Sequence, residues 1–264
     1  MKKITTTACV IALLIACSKV PISNRRQMSL LPEAEMSSMS KVEYAKFLAA
    51  NPAIKNTKEA TMVNNVGQRI ANAAERYCKT HKAASRVKGF QWEFNLVASN
   101  EVNAWCMPGG KVAVYTGIIP VAQTEEGLAV VMSHEIAHAI AQHGNERMST
   151  QLAIQLGGGV LGSAMQKNPT QTQNVFLQSY NVASSLGALK FSRNQESEAD
   201  KMGLVFMAMA GYNPEEAITF WERMKSASKG QKPMEWMSTH PSDDTRIKDI
   251  KAYIPKAKSF FSSN

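Results

Sequence analysis

The segment from Thr124 to Gly144 constrains this chain more than any other. Ala129 to Val131 and Ile136 to Ile140 make it apolar on nearly every face of a helix, yet it carries His134-Glu135-Ile136-Ala137-His138. A helix that is hydrophobic all round belongs in an interior. Two histidines and a glutamate buried there need partners. Residues four apart on a helix lie about 40° apart round its axis, so both imidazoles project from one face. Two neutral imidazoles so placed can hold Zn²⁺. Glu135 then sits beside the metal, where it can take a proton from a zinc-bound water whose pKa falls to about 7.

Zinc needs a third protein ligand. The pattern with a glycine at 141 and a histidine at 144 fails, because the chain has Ala141 and Gly144. His143 lies five residues past His138, about 140° round a continuous helix, and is expected to point elsewhere, near a helix C-terminus whose dipole favours it. Acidic candidates stand downstream in Glu196-Ser197-Glu198-Ala199-Asp200. Glu196 and Asp200 share a helix face and Glu198 points away. Glu196 as ligand leaves Asp200 one turn along, placed to hydrogen-bond a ligand histidine. Assigning Glu198 instead leaves no paired acid, so Glu196 is preferred.

Around this motif the pattern is α+β. Apolar residues at spacings of three and four predict a helix over 59–81, and Phe90–Val97, Val102–Cys106 and Lys111–Tyr115 predict strands, the last two joined by a turn at Pro108-Gly109-Gly110. Helices are expected over 151–165, 176–189, 192–211 and 214–228. The glycine run 157–162 lacks a phosphate-loop lysine and suits close helix packing or a mobile lid. The predicted class is therefore α+β, mostly helical with a small antiparallel or mixed sheet.

The N-terminus reads as an export signal over residues 1–16. Lys2 and Lys3 precede a 13-residue apolar stretch, too short to span a bilayer. Leu14-Ile15-Ala16-Cys17 resembles a bacterial lipobox, which implies acylation of Cys17 and a membrane held by that lipid anchor. Ser18 after the cysteine points to an outer-membrane lipoprotein facing the periplasm, in a bacterial cell envelope. Residues 17–40 are then a tether and 41–264 the domain. The chain's 264 residues and formal charge of +9 become 248 and +7 after such processing. Its basic residues are scattered and form no nucleic-acid motif, so a solvated face or attraction to anionic lipid explains them. The fifteen methionines are core filler.

His134 to His138, Glu196 to Asp200 and Asn103-Ala104-Trp105-Cys106-Met107-Pro108-Gly109-Gly110 together resemble the zinc peptidase family that contains HtpX, BepA and the CAAX prenyl endopeptidases, in its periplasmic lipoprotein branch. The resemblance covers about residues 59–250. It implies a zincin-like metallopeptidase domain with one Zn²⁺ per chain held by His134, His138 and Glu196, with Glu135 as general base and Asp200 orienting a ligand histidine. It also implies that Asn103 and Ala104 begin a cleft-edge strand that pairs with extended substrate. Cys106 departs from the aliphatic residue expected there. His-Pro pairs late in the family match Thr239-His240-Pro241, so His240 either stabilises the developing oxyanion or takes the fourth zinc position and holds the enzyme latent. Arg246 either stabilises the same charge or braces the loop. In an oxidising compartment Cys78 and Cys106 form a possible disulfide. The expected activity is endopeptidase cleavage of unfolded or misassembled envelope proteins. The alternative is an envelope chaperone or assembly factor with a latent site.

Overall fold

The computed structural model describes residues 17–155, 169–180, 191–227, 236–237, 240 and 244–261. The expected signal segment 1–16, the glycine run 157–162 and most of the expected 176–189 helix lie outside these residues. Two short strands, β1 (Cys17–Lys19) and β2 (Arg26–Met28), open the chain as an antiparallel pair. Helix α1 (Glu33–Ala50) follows, then β3 (Ala53–Ile54) and the long helix α2 (Lys58–Thr80). Strands β4 (Glu93–Val97), β5 (Ala104–Met107) and β6 (Lys111–Tyr115) complete a mixed sheet in the order β3-β4-β6-β5. β4 runs parallel to β6, and the other two pairings are antiparallel. Helices α3 (Ile119–Ala122), α4 (Glu125–Ala141), α5 (His143–Gln155), α6 (Pro169–Ser179), α7 (Arg193–Met209), α8 (Glu216–Ala227) and α9 (Asp244–Lys258) follow. The domain is α+β and mostly helical, as its periodicity predicts.

Alternation along the strands divides the interior in two. Phe94, Leu96, Val112 and Val114 face a core shared with α2, α4, α7, α8 and α9. Trp105, Met107, Ala113 and Tyr115 face a second cluster with Tyr44 of α1, Met148 and Leu152 of α5 and Phe176 of α6. Every residue of β6 is buried, because helices cover the sheet on both sides.

Residues 17–40 do not behave as a tether. Val20 is fully buried in the first core, and α1 begins at Glu33 rather than near Lys41. The cause is the C-terminus of α4, whose last carbonyls need donors. Arg86 donates to Ile140 O (3.3 Å), Ala141 O (2.9 Å) and Lys19 O (2.7 Å), and Gln27 donates to Ala141 O (2.8 Å). The N-terminal strand pair is thereby fastened to the end of the histidine-bearing helix. No helix among the described residues is long and apolar enough to cross a membrane.

Glu33, at the start of α1, lies near this same Arg86. Burial pushes its carboxyl up to about 7, and the Arg86 charge and Asn145 offset only part of that. The folded chain therefore keeps a proton on Glu33 in a window, from 4.5 to about 7, where the unfolded chain has lost it. Stability falls as pH rises through a window in which the folded state binds more protons. Denaturant midpoints at pH 5 and pH 8 are expected to drop more for the wild type than for Glu33→Gln. Equal drops would remove Glu33 as the cause.

Candidate metal centre

Three helices and one loop residue build the centre. Thr124 starts α4, its side chain accepting from Gly127 N, and every residue from Gly127 to Ala141 is buried. Ser192 starts α7 with a reciprocal capping box to Gln195. The two helices pack closely along their length. Gly203 permits this approach: a Cβ there would meet Ser133 Oγ at 3.1 Å and His134 N at 3.2 Å. The faces brought together are the ones the sequence singles out. His134 and His138 from α4 meet Glu196 from α7, and His240 enters from the segment before α9.

These four side chains are buried, and one donor atom from each lies within 4.8 Å of all the others. His134 Nε2 stands 3.0 Å from His138 Nε2 and 3.2 Å from His240 Nδ1. Glu196 Oε1 stands 3.0 Å from His240 Nδ1 and 3.4 Å from His138 Nε2. Ligands about 2.0–2.1 Å from a tetrahedral zinc are separated by about 3.3 Å. These separations match those edges. Imidazole nitrogens and a carboxylate crowd their lone pairs toward one point, a packing that a cation relieves and that neutral filling would not. The donor set therefore fits zinc.

The electrostatics agree. Burial would raise Glu196, but the His240 and Arg246 charges hold its carboxyl well below the usual range. Asp200 is likewise lowered, with Arg246 outweighing burial. Burial drives His138 well below the usual imidazole range, so it is a neutral ligand with a free lone pair. His134 is pushed the other way, to about 9, since the hydrogen bonds it donates to the Asp200 and Glu196 carboxylates overcome burial. The centre thus favours a positive charge between its carboxylates.

The remaining predicted residues fall into place unevenly. Asp200 Oδ1 lies 3.0 Å from His134 Nδ1, the orienting contact that the spacing predicts. Arg246 faces the carboxylates: Nε and Nη2 donate to Asp200 at 2.8 Å, Nη1 lies 2.8 Å from Glu196, and the guanidinium stacks 3.7 Å over Trp221. Glu135 Oε1 is 3.4 Å from His240 Nε2. Asn103 and Ala104 are buried at the head of β5, which packs against α4 and forms the sheet edge. Cys17 starts β1, opposite Met28.

Two expectations are corrected by the structure. Cys78 and Cys106 are free thiols, not a disulfide. Helix α2, which carries Cys78, packs on β4, and β6 lies between β4 and β5. His143 does not point away from His138: their Nδ1 atoms are 2.8 Å apart. The helix is interrupted at Gln142, which adopts a left-handed conformation (φ 58°, ψ 35°), so angular arithmetic for a continuous helix does not apply. Trp236 escapes sequence reasoning altogether. Its Nε1 donates to Glu135 Oε1 at 2.8 Å and its backbone N to Val102 O at 3.2 Å, contacts that no local pattern signals.

Comparison with known proteins now bears on this geometry. Residues 58–254 match the family described as Peptidase family M48. The chain belongs to peptidase family M48. Zinc is the cofactor of that family, consistent with the donor set above. Over 185 residues it is 36% identical to mitochondrial metalloendopeptidase OMA1 of Schizosaccharomyces pombe, covering 69% of this chain and 52% of that protein. It is 27% identical over 247 residues to human mitochondrial metalloendopeptidase OMA1, covering 90% and 46%. The beta-barrel assembly-enhancing protease of Escherichia coli is 26% identical over 204 residues, covering 76% and 40%. The chain thus spans about half the length of the relatives it matches. These relatives correct the expected address. Matches of 32–36% to fungal and plant proteins are all to mitochondrial metalloendopeptidases, so a bacterial outer-membrane lipoprotein location does not stand.

Metal removal checks the centre directly. Zinc at a hundredfold over its dissociation constant adds about 2.7 kcal/mol to stability. In a domain of this size that corresponds to a melting temperature about 5–10 °C higher. Chelation is expected to lower the melting temperature of the wild type by that amount, reversibly on adding zinc, and to leave His138→Ala unmoved. An unchanged wild type would refute metal binding.

Proposed function

We propose that this chain is a zinc-dependent endopeptidase that hydrolyses peptide bonds in extended segments of unfolded or misassembled proteins. The observation that carries the reading is the buried His134, His138, Glu196 and His240 donor set with the Glu135 carboxylate beside it. Bound zinc supplies Lewis-acid chemistry, acidifying water to a pKa of about 7 and polarising a carbonyl. Glu135 takes the proton from the attacking water and delivers it to the nitrogen of the breaking C–N bond, which leaves as an amine. Asp200 holds His134 in its ligating orientation. Arg246, committed to Asp200 and Glu196, braces those two carboxylates.

Substrate binding falls to the edge of β5. The outer side of this strand has no strand partner among the described residues, so its backbone can pair with an extended peptide while reading little of its sequence. Asn103 Nδ2 is buried without a hydrogen-bond partner, a donor available at the head of that edge.

Purified wild type is expected to contain about one zinc per chain and to digest an unfolded protein. Glu135→Gln is expected to keep the metal and lose at least about a hundredfold in rate, the usual contribution of a general base. Persistent cleavage by Glu135→Gln would exclude this mechanism.

A second reading rests on Trp236 and His240. Together they take the Val102 carbonyl beside the strand edge, the Glu135 carboxylate and the fourth metal position, which are the three places a substrate would use. Four protein ligands make a closed site, whereas catalytic zinc keeps a position open. The described arrangement is then a latent form, and a chaperone or assembly factor with a rarely opened site is the functional alternative. His240→Ala is expected to speed cleavage and weaken zinc binding. Slower cleavage with unchanged zinc affinity would instead assign His240 to the oxyanion.

A further inference from the structure

A chain of polar contacts leads away from the metal centre through His138. His138 Nδ1, the nitrogen not turned to the donor cluster, faces His143 Nδ1 at 2.8 Å. His143 Nε2 faces Glu198 Oε2 at 3.1 Å. Glu198 then accepts from Arg25 Nε and Nη2, both at 2.9 Å, and from Ser23 Oγ at 2.5 Å. Arg25 also donates to both oxygens of Glu146, at 2.5 Å and 2.8 Å, and Gln195 holds Glu146 from α7. His143 is completely buried and Phe191 stacks on His138 with centroids 3.9 Å apart, so water has little access to this path.

The proton positions follow from ligation. A metal-binding Nε2 of His138 needs its lone pair, so the proton of the neutral ring sits on Nδ1 and donates to His143 Nδ1. His143 as acceptor there must carry its own proton on Nε2, which donates to Glu198. An ionised Glu198 is required at the end, and Arg25 supplies the countercharge. Each link dictates the next in one direction only. His134 has the same kind of support in a shorter form, from Asp200 and Arg246.

We propose that His143, held by Glu198 and Arg25, is the positioning residue of His138, so that the N-terminal segment carrying Arg25 sets the metal affinity of the centre. The inference rests on the zinc-site reading above and adds to it a set of residues outside the donor cluster. Loss of such an outer partner typically costs about 10–100-fold in metal affinity.

The test is zinc affinity, measured by competition with a chromogenic chelator, together with the visible absorption of the cobalt-substituted protein. His143→Leu removes the acceptor, and His143→Asn retains an oxygen near the place of Nδ1. Arg25→Ala is the second variant, because it lies on a partly exposed side chain and leaves both rings in place. The leucine variant is expected to bind zinc about 10–100-fold more weakly with an altered cobalt spectrum. Asparagine is expected to recover much of that loss, and Arg25→Ala to weaken binding in the same direction. Wild-type zinc affinity and cobalt spectra in His143→Leu and Arg25→Ala would overturn the proposal while leaving the zinc site intact. No zinc binding by wild type would overturn both.

Discussion

Burying ionisable groups inside an apolar helix pair is costly unless every one of them is answered, and the architecture around α4 is the set of answers. His134, Glu135 and His138 lie on a helix with no exposed face. An unpaired charge in such surroundings costs several kcal/mol, and a buried polar group about 1–3 kcal/mol. Cancellation comes from α7, which carries Glu196, Glu198 and Asp200, from Arg246 on α9, and from His240 and Trp236 between α8 and α9. The acidic excess at the middle is then resolved by a cation. Metal chemistry and core packing are here the same problem.

That requirement also explains why the ends of the chain matter. α4 closes with the Ile140 and Ala141 carbonyls, which the distant Arg86 and Gln27 satisfy. The latter belongs to β2, so the N-terminal strand pair is part of the domain. Arg25 in the same segment reaches Glu198 and Glu146, and these lead through His143 to His138. At the opposite end, Arg246 presses on Trp221 and holds two carboxylates. Each ligand histidine is thus braced from a different terminus of the chain. Binding energy spent on orientation in advance is what keeps a metal site geometrically strict.

The cleft shows how protein groups can imitate a substrate. An extended peptide at the β5 edge would offer an N–H to a strand carbonyl, a carbonyl toward the metal and a polar group beside Glu135. Trp236 and His240 make comparable contacts from within the chain. Displacing Trp236 and His240 would therefore open the cleft by competition, without any change to the sheet or to α4.

Much of this was legible in the sequence, wherever chemistry is set by local spacing. The i,i+4 relation placed His134 and His138 on one face, and likewise Glu196 with Asp200, because helix geometry is the same in every context. Period-two and period-3.6 patterns located β6 and α2 within a residue of their observed bounds. Reading failed where a single backbone torsion or a distant partner decided the outcome. Gln142 in a left-handed conformation turns His143 back toward His138, and nothing in the composition of the segment demands it. Glu198 looked surplus because its partners, His143 and Arg25, lie 55 and 173 residues away. The Cys78–Cys106 pairing failed because the helix carrying Cys78 packs on β4, whereas Cys106 lies on β5 at the other side of β6. Sequence alone determined the metal-binding chemistry and the helices that carry it, since both follow from short-range periodicity. Which side chains brace the ligands, and what fills the cleft, only the tertiary structure decided, since those contacts depend on loop torsions and strand order.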